Sequence, residues 1–311
     1  MKEQSMVPRA EPQSYYGQPV IKEPVWTWEI PLYFFTGGLA GASSGLAFLA
    51  DLRGNKTLAR NAWALGMAGL LASPPLLISD LGRPSRFLNM LRVFKVTSPM
   101  SVGSWLLNFE GMLSTVAAAN AWTGALEGPA AIAKPAAAAF GLPVATYTAA
   151  LIANTSIPVW HRARWTLPFL FASGAAVSAG AAAAAVTAPR QAAPARRLAL
   201  MGAAGEVIVS QLMEQDLGEL GKPYHEGAAG NLNRVSGALT VAGGFALASR
   251  LGSRRSGAAI GGALLLAGAL AKRWSVFRAG FQSASDPAYT VEPQRQRIAE
   301  GRARGASRSA R

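Results

Sequence analysis

The sequence predicts an all-α integral membrane protein with eight transmembrane helices, and three observations predict it. Half of the 311 residues are hydrophobic and only 15% are charged, against roughly 25% charged in a typical soluble domain. The apolar residues are gathered into runs longer than a soluble core needs, and the Arg and Lys residues concentrate between those runs. A span requires about 20 mainly apolar residues. Eight segments meet that need: Trp28 to Ala50, Ala59 to Ser79, Val102 to Trp122, Ala136 to Thr155, Trp165 to Thr187, Arg197 to Leu217, Leu232 to Ser249 and Ser256 to Trp274. High hydrophobicity beside a net charge of +14 excludes a disordered chain. Cysteine is absent, so the chain builds no disulfide, thiolate metal site or iron–sulfur cluster of its own.

Residues 1–27 form a polar, Pro-rich N-terminal segment. It lacks the basic stretch leading straight into an apolar run that marks a signal peptide, so it is expected to be retained. The first span opens with VWTWEIPLY, an aromatic belt of Trp26, Trp28 and Tyr33 with Glu29 just inside it. Gly37, Gly41 and Gly45 then recur every fourth residue, a face on which another helix can pack closely. GGLAGASSG has no strand before it, so it reads as packing rather than as a phosphate loop.

After the second span comes the densest polar segment, SDLGRPSRFLNMLRVFKVTSPMSVGSW. Asp80 lies three residues from Arg83, a spacing that allows a charge-assisted pair, and Gly82 and Pro84 punctuate the helix end. Arg83, Arg86, Arg92 and Lys95 interleave with Phe87, Leu88, Leu91 and Phe94 as an interfacial ledge, either a snorkelling surface or a docking place for an acidic partner.

Ionisable groups are costly inside a membrane, so each is a functional candidate. The third span carries Ser101, Trp105 and Asn108 on one face and Glu110 on another. The fourth places Tyr147, Leu151 and Asn154 on one face, where a phenol and an amide can bond a carbonyl ligand or a neighbouring helix. On the sixth, Glu206, Ser210 and Glu214 follow at i, i+4 and i+8 and share a face. Glu110, Glu206 and Glu214 are therefore the proton-transfer candidates, with a structural hydrogen-bonded face as the alternative.

Both histidines, His161 in VWHRAR and His225 in PYHEG, fall in loops. A membrane haem usually takes axial histidines from helices, so neither haem nor another metal is expected. Beyond Ala271 nine Lys or Arg face three acids, and residues 275–311, ending in GRARGASRSAR, read as a basic, disordered tail. The loops opposite the termini hold ten basic residues against eight in those on the terminal face. By the positive-inside rule that count leans toward termini outside, while the basic tail leans the other way.

Three stretches carry a family resemblance: PVWTWEIPLYFFTGGLAGAS (24–43), DLGRPSRFLNMLRVFKVTSPMSVGSW (80–105) and TYTAALIANTSIPVWHRAR (146–164). With the eight-span count they resemble the NrfD/PsrC family, the polysulfide-reductase membrane subunits that anchor multisubunit molybdoenzymes. The likeness covers the first half of the chain, and the second half agrees mainly in hydropathy. It implies two four-helix bundles, residues 28–155 and 156–274, without haem or metal, in the bacterial cytoplasmic membrane. It implies a menaquinone or ubiquinone site in the first bundle near the terminal face. Carried onto matching positions, it nominates Glu29, Asp80, Arg83, Tyr147 and His161 for that site. It also implies partners: a ferredoxin-like four-cluster iron–sulfur subunit and a molybdopterin catalytic subunit. On that view the chain is a non-catalytic subunit where quinone exchanges electrons. The VIKEPVWTWEIP start resembles anchors found beside formate dehydrogenases. A secondary transporter or proton channel is the rival, because paired bundles with buried carboxylates suit it too.

Overall fold

A computed structural model describes residues 19–309, with side chains through residue 301. Most of the N-terminal segment expected over 1–27 lies outside the described residues, as do residues 310–311 and the side chains of 302–309 in the GRARGASRSAR stretch. Among the described residues every regular element is a helix.

α1 (Glu29–Leu52) starts with an acid in its first turn, favourable at the positive end of the helix dipole. It turns back at Gly54, whose φ of +72° suits a residue without a Cβ. α2 (Lys56–Ser79) is then capped by Asn55, which accepts the Leu58 N–H at 3.1 Å. The ledge after it is a 3₁₀ turn over Pro84–Leu91 with no buried residue. α3 (Pro99–Thr123) has Ser98 as N-cap, with Pro99 in its first turn. α4 (Glu127–Ala153) leads through the short α5 (Pro158–Arg162) to α6 (Leu167–Val186). α7 (Ala193–Leu217), α8 (Gly227–Ala248), α9 (Arg255–Ser285) and α10 (Ala288–Ser309) complete the chain.

Eight long helices thus cover the eight segments expected to span. Five of them, α1, α2, α4, α6 and α9, are long and apolar enough to cross a membrane. α3, α7 and α8 are as long but more polar: α7 alone carries Arg196, Arg197, Glu206, Glu214 and Asp216.

α1 packs on α2 and α4, and α3 fits against the same two; α6 and α8 each pack on α7 and α9. α6 and α9 join the two sets by packing on α1. The contacts rest on small residues, as lipid-embedded helix packing demands. At the α1–α4 crossing Gly41 and Gly141 face each other so closely that a Cβ on either would overlap the other's carbonyl. Of the glycines expected to form that face, Gly41 alone abuts another helix. Gly37 is filled by Tyr33 of its own helix and Gly45 meets open space.

The tail departs from expectation. Residues 275–285 continue α9, and described residues from Ala288 onward form α10. Counting charges hid the apolar spacing of Val276, Phe277, Ala279, Gly280 and Ala284, all buried. Val276 accepts a 2.8 Å hydrogen bond from the Trp160 indole, and the Trp160 ring packs 6.3 Å from Phe277 and 5.9 Å from Trp26. That stack ties the entry to α1, α5 and the end of α9 together.

The packing makes a direct prediction. Gly41→Leu should destabilise the purified protein by about 1–3 kcal/mol, the usual cost of overpacking. Gly45→Ala should be close to neutral. Thermal unfolding followed by size-exclusion fluorescence separates the two.

Candidate functional site

Thr27, Glu29 and Asp80 meet where α1 begins and α2 ends. Asp80 caps α2, and its Oδ1 accepts both the backbone N–H and the hydroxyl of Thr27, each at 3.3 Å. The same hydroxyl lies against Glu29 Oε2. A hydroxyl carries one proton, so Thr27 serves one carboxylate at a time, and the pair is suited to holding a proton between them. Burial raises the Asp80 pKa above its ordinary value, and the Glu29 charge adds to the rise; the two Thr27 bonds oppose it. Arg83 does not form the expected pair with Asp80. It is exposed, after a chain break in helical geometry at residues 81–83 that redirects its side chain from the i, i+3 register.

One turn deeper, Tyr33 follows Glu29 at i+4 on the same face of α1. Its ring meets Tyr147 of α4 edge-on, with centroids 6.3 Å apart. Gly103 of α3 makes room for Tyr147: a Cβ there would overlap the phenol ring. The Tyr33 hydroxyl is fully buried and has no hydrogen-bond partner among the described residues. Such a group costs about 1–3 kcal/mol unless something satisfies it. One turn beyond Gly103 on α3, Leu107 lines a groove between α2 and α3 of about 540 Å³, open on one side, with Leu70, Pro74 and Met112 among its walls.

His161 lies elsewhere. It projects from α5, its Nδ1 3.3 Å from the Ala153 carbonyl. It lines a cavity of about 810 Å³ with Thr155, Arg164, Tyr289 and Arg297, beneath α10. The five nominated residues therefore fall into four places: Glu29 with Asp80, Tyr147 with Tyr33, His161 by itself and Arg83 on the exposed ledge.

The buried carboxylates divide in two. Glu110 of α3 is fully buried, and its Oε1 accepts from Ser44 at 2.5 Å and from Ser114 at 3.0 Å. Glu206 and Glu214 of α7 line a second polar place with Ser210. Here the structure adds two residues that the sequence reading had placed at the head of a basic tail: Lys272 and Arg273, both buried in α9. Lys272 Nζ donates to Asn233 Oδ1 at 2.7 Å, and Asn233 in turn donates to Glu214 Oε1 at 3.2 Å. Arg273 donates to the Phe171 carbonyl at 2.7 Å and lies 3.9 Å over that residue's ring. The signal that could have found them was the apolar spacing after Trp274, which puts both cations well inside a helix. Among the described residues no group of three His, Cys, Asp or Glu comes together to hold a metal.

A family model described as "Polysulphide reductase, NrfD" matches residues 18–212, more than half of the chain. The matched region holds α1 through most of α7 and so contains Thr27, Glu29, Tyr33, Asp80 and Tyr147. A comparison with curated proteins gives no match.

The proton balance at the α1–α2 edge can be checked directly. Thr27→Val deletes the hydroxyl and keeps the backbone N–H, so the Asp80 carboxyl should titrate at higher pH. Glu29→Gln removes a repelling charge, and the titration should move to lower pH. Infrared titration of the carboxyl band, assigned by its loss in Asp80→Asn, reads both shifts.

Proposed function

The chain belongs to the polysulphide reductase NrfD family, and on that premise we propose that it is the quinone-binding membrane anchor of a multisubunit molybdoenzyme. In this reading the eight long helices cross the bacterial cytoplasmic membrane as two four-helix bundles, α1–α4 and α6–α9. The modest hydropathy of α3 and α7 fits that arrangement, because Glu110, Glu206 and Ser210 are buried rather than turned to lipid.

The observation that carries the reading is the stacking of two layers at one bundle edge. A carboxylate pair, Glu29 and Asp80, shares the Thr27 hydroxyl, and one turn deeper two tyrosines face each other. The residues fit a quinone head group: the buried Tyr33 hydroxyl lacks a partner that a carbonyl oxygen would supply. Menaquinone or ubiquinone, when bound, supplies a two-electron, two-proton couple.

The chain's own part is to hold and to move protons. Tyr147 donates a hydrogen bond to one carbonyl oxygen, and Tyr33 completes the polar end. Asp80 and Glu29 exchange protons with water at the membrane edge, with Thr27 holding whichever is ionised. Arg83 lends positive charge to that edge from the ledge, and His161 acts as an interfacial base at its own cavity beneath α10. The α2–α3 groove admits an isoprenoid tail from the lipid. Glu110, Glu206 and Glu214 serve proton transfer deeper in the helices.

The electrons come from, or go to, a ferredoxin-like four-cluster iron–sulfur subunit docked on the terminal face. A molybdopterin catalytic subunit lies beyond it, with formate as its substrate. The exposed ledge of Arg83, Arg86, Arg92 and Lys95 suits an acidic docking surface.

Tyr147→Phe and Tyr33→Phe, made in the native complex, test the site. A neutral hydrogen bond contributes about 0.5–1.5 kcal/mol, so each change should raise the quinone KM by about 2- to 10-fold with the complex intact. Unchanged quinone-dependent kinetics in both variants would overturn the assignment. Purification of the chain without iron–sulfur and molybdenum subunits would overturn the anchor role.

A further inference from the structure

We propose that the cleft between α7, α8 and α9 is a water-filled proton-exchange site with Lys272 and Glu206 at its floor and Glu214 at its mouth. The site is separate from the tyrosine layer; it deepens the proton-transfer role proposed above for Glu206 and Glu214 and rests on reading α7 as a membrane-crossing helix.

The cleft has a volume of about 170 Å³, and its walls include Glu206, Ser210, Glu214, Asn233, Thr240 and Lys272. Two buried hydroxyls lining it, Ser210 Oγ and Thr240 Oγ1, have no hydrogen-bond partner within the described chain. Water occupies a cavity that is polar and offers it partners, and each molecule takes about 30 Å³ in the liquid. This cleft meets both conditions for several molecules, with Glu206, Glu214, Asn233 and Lys272 among its polar walls.

The floor is charged. Glu206 is 3% exposed and Lys272 8% exposed, so neither reaches bulk water by its own side chain. The neighbouring Arg273 is already engaged by the Phe171 carbonyl and ring. Lys272 carries three N–H bonds and spends one on Asn233. The remaining N–H bonds and the Glu206 carboxylate line the same small space.

Depth gives the cleft its use. Glu206 stands 11 residues before the end of α7 at Leu217, or about 16 Å along the axis at ~1.5 Å per residue. That is about half the ~30 Å thickness of a bilayer's apolar layer. Glu214 is three residues from the same end, and its Oε2 lies 3.4 Å from Nε2 of the exposed His225. Side chains alone do not complete a relay from mouth to floor, because Asn233, between Glu214 and Lys272, is a neutral amide with no titrating proton. Water in the cleft closes that gap.

The exchange is a proton transfer alone. A proton from the aqueous phase passes His225 or Glu214, crosses the cleft water and protonates Glu206; its return leaves every heavy-atom bond intact. The titratable and charged groups about the floor are Glu206 and Glu214 from α7 and Lys272 and Arg273 from α9, with Tyr224 and His225 from the loop before α8. At this place α8 contributes Asn233 and Thr240, and α6 contributes the Phe171 carbonyl.

The natural absence of cysteine permits a clean test. Ser210→Cys and Thr240→Cys, each in the full chain in membrane vesicles, are treated with a cationic, membrane-impermeant methanethiosulfonate. Both should be modified, as should an exposed Glu219→Cys control, whereas Ser44→Cys beside Glu110 should stay unmodified. In parallel, the carboxyl infrared band lost in Glu206→Gln is titrated in Lys272→Met and Lys272→Gln. Loss of the facing cation should change the bulk pH at which that band appears. Inert thiols at 210 and 240 beside a reactive control at 219 would overturn the proposal, as would a Glu206 band that ignores bulk pH. Neither arm touches Tyr147 or depends on quinone, so its failure leaves the anchor reading standing.

Discussion

A guanidinium taken out of water must be satisfied by the chain itself, and the packing of the long helices is organised around one that is. Arg273 donates to the Phe171 carbonyl and stacks on the Phe171 ring, with Glu206 near on α7. A buried charge left without such partners costs several kcal/mol, so α6, α7 and α9 are held to one arrangement around it. Gly38 of α1 and Gly174 of α6 keep the space free: a Cβ on Gly174 would come within 3.0 Å of the guanidinium. The residue that ties the last helices together thus also fixes where α1 crosses them.

The carboxylates show how the chain separates structure from chemistry. Asp51, at the far end of α1, is clamped by Lys56 at 2.6 Å and Lys134 at 2.5 Å. Two cations make that carboxylate a joint between α1, α2 and α4. Glu29 and Asp80, at the opposite end of the same helices, form no ion pair among the described residues and share a hydroxyl. Burial, with the Glu29 charge beside it, raises the Asp80 pKa, so that carboxyl takes up a proton more readily than an exposed one.

Much of this was legible in the sequence, for physical reasons that name its limits. Helix positions follow from the length of apolar runs, which is a local property, and eight of the nine long helices lie over expected spans, the exception being α10 in the tail. The polarity of Glu29, Asp80 and Tyr147 was also local and stood out against apolar neighbours. Their partners were not. Thr27 is an unremarkable residue in a loop, and nothing near it in sequence says that it meets Asp80, 53 residues away. The Asp80–Arg83 spacing implied a pair only if the helix continued, and Gly82 and Pro84 end it. Lys272 and Arg273 look like snorkelling cations when an apolar run is taken to stop at Trp274. They become core residues only once Val276, Phe277 and Gly280 are seen to carry the helix on to pack against Trp160.

That extension of α9 has a mechanical side. Its 31 residues make a rod about 46 Å long at ~1.5 Å per residue, longer than the apolar thickness it would cross. Arg273 and Val276 are less than one turn apart on it, the first gripping α6 and the second accepting the indole bond that secures the Trp26–Trp160 stack. A stiff rod pinned at two neighbouring points cannot turn at one of them alone. Any rearrangement around the buried cations must therefore be felt at the aromatic stack where the chain enters α1, three residues before Glu29.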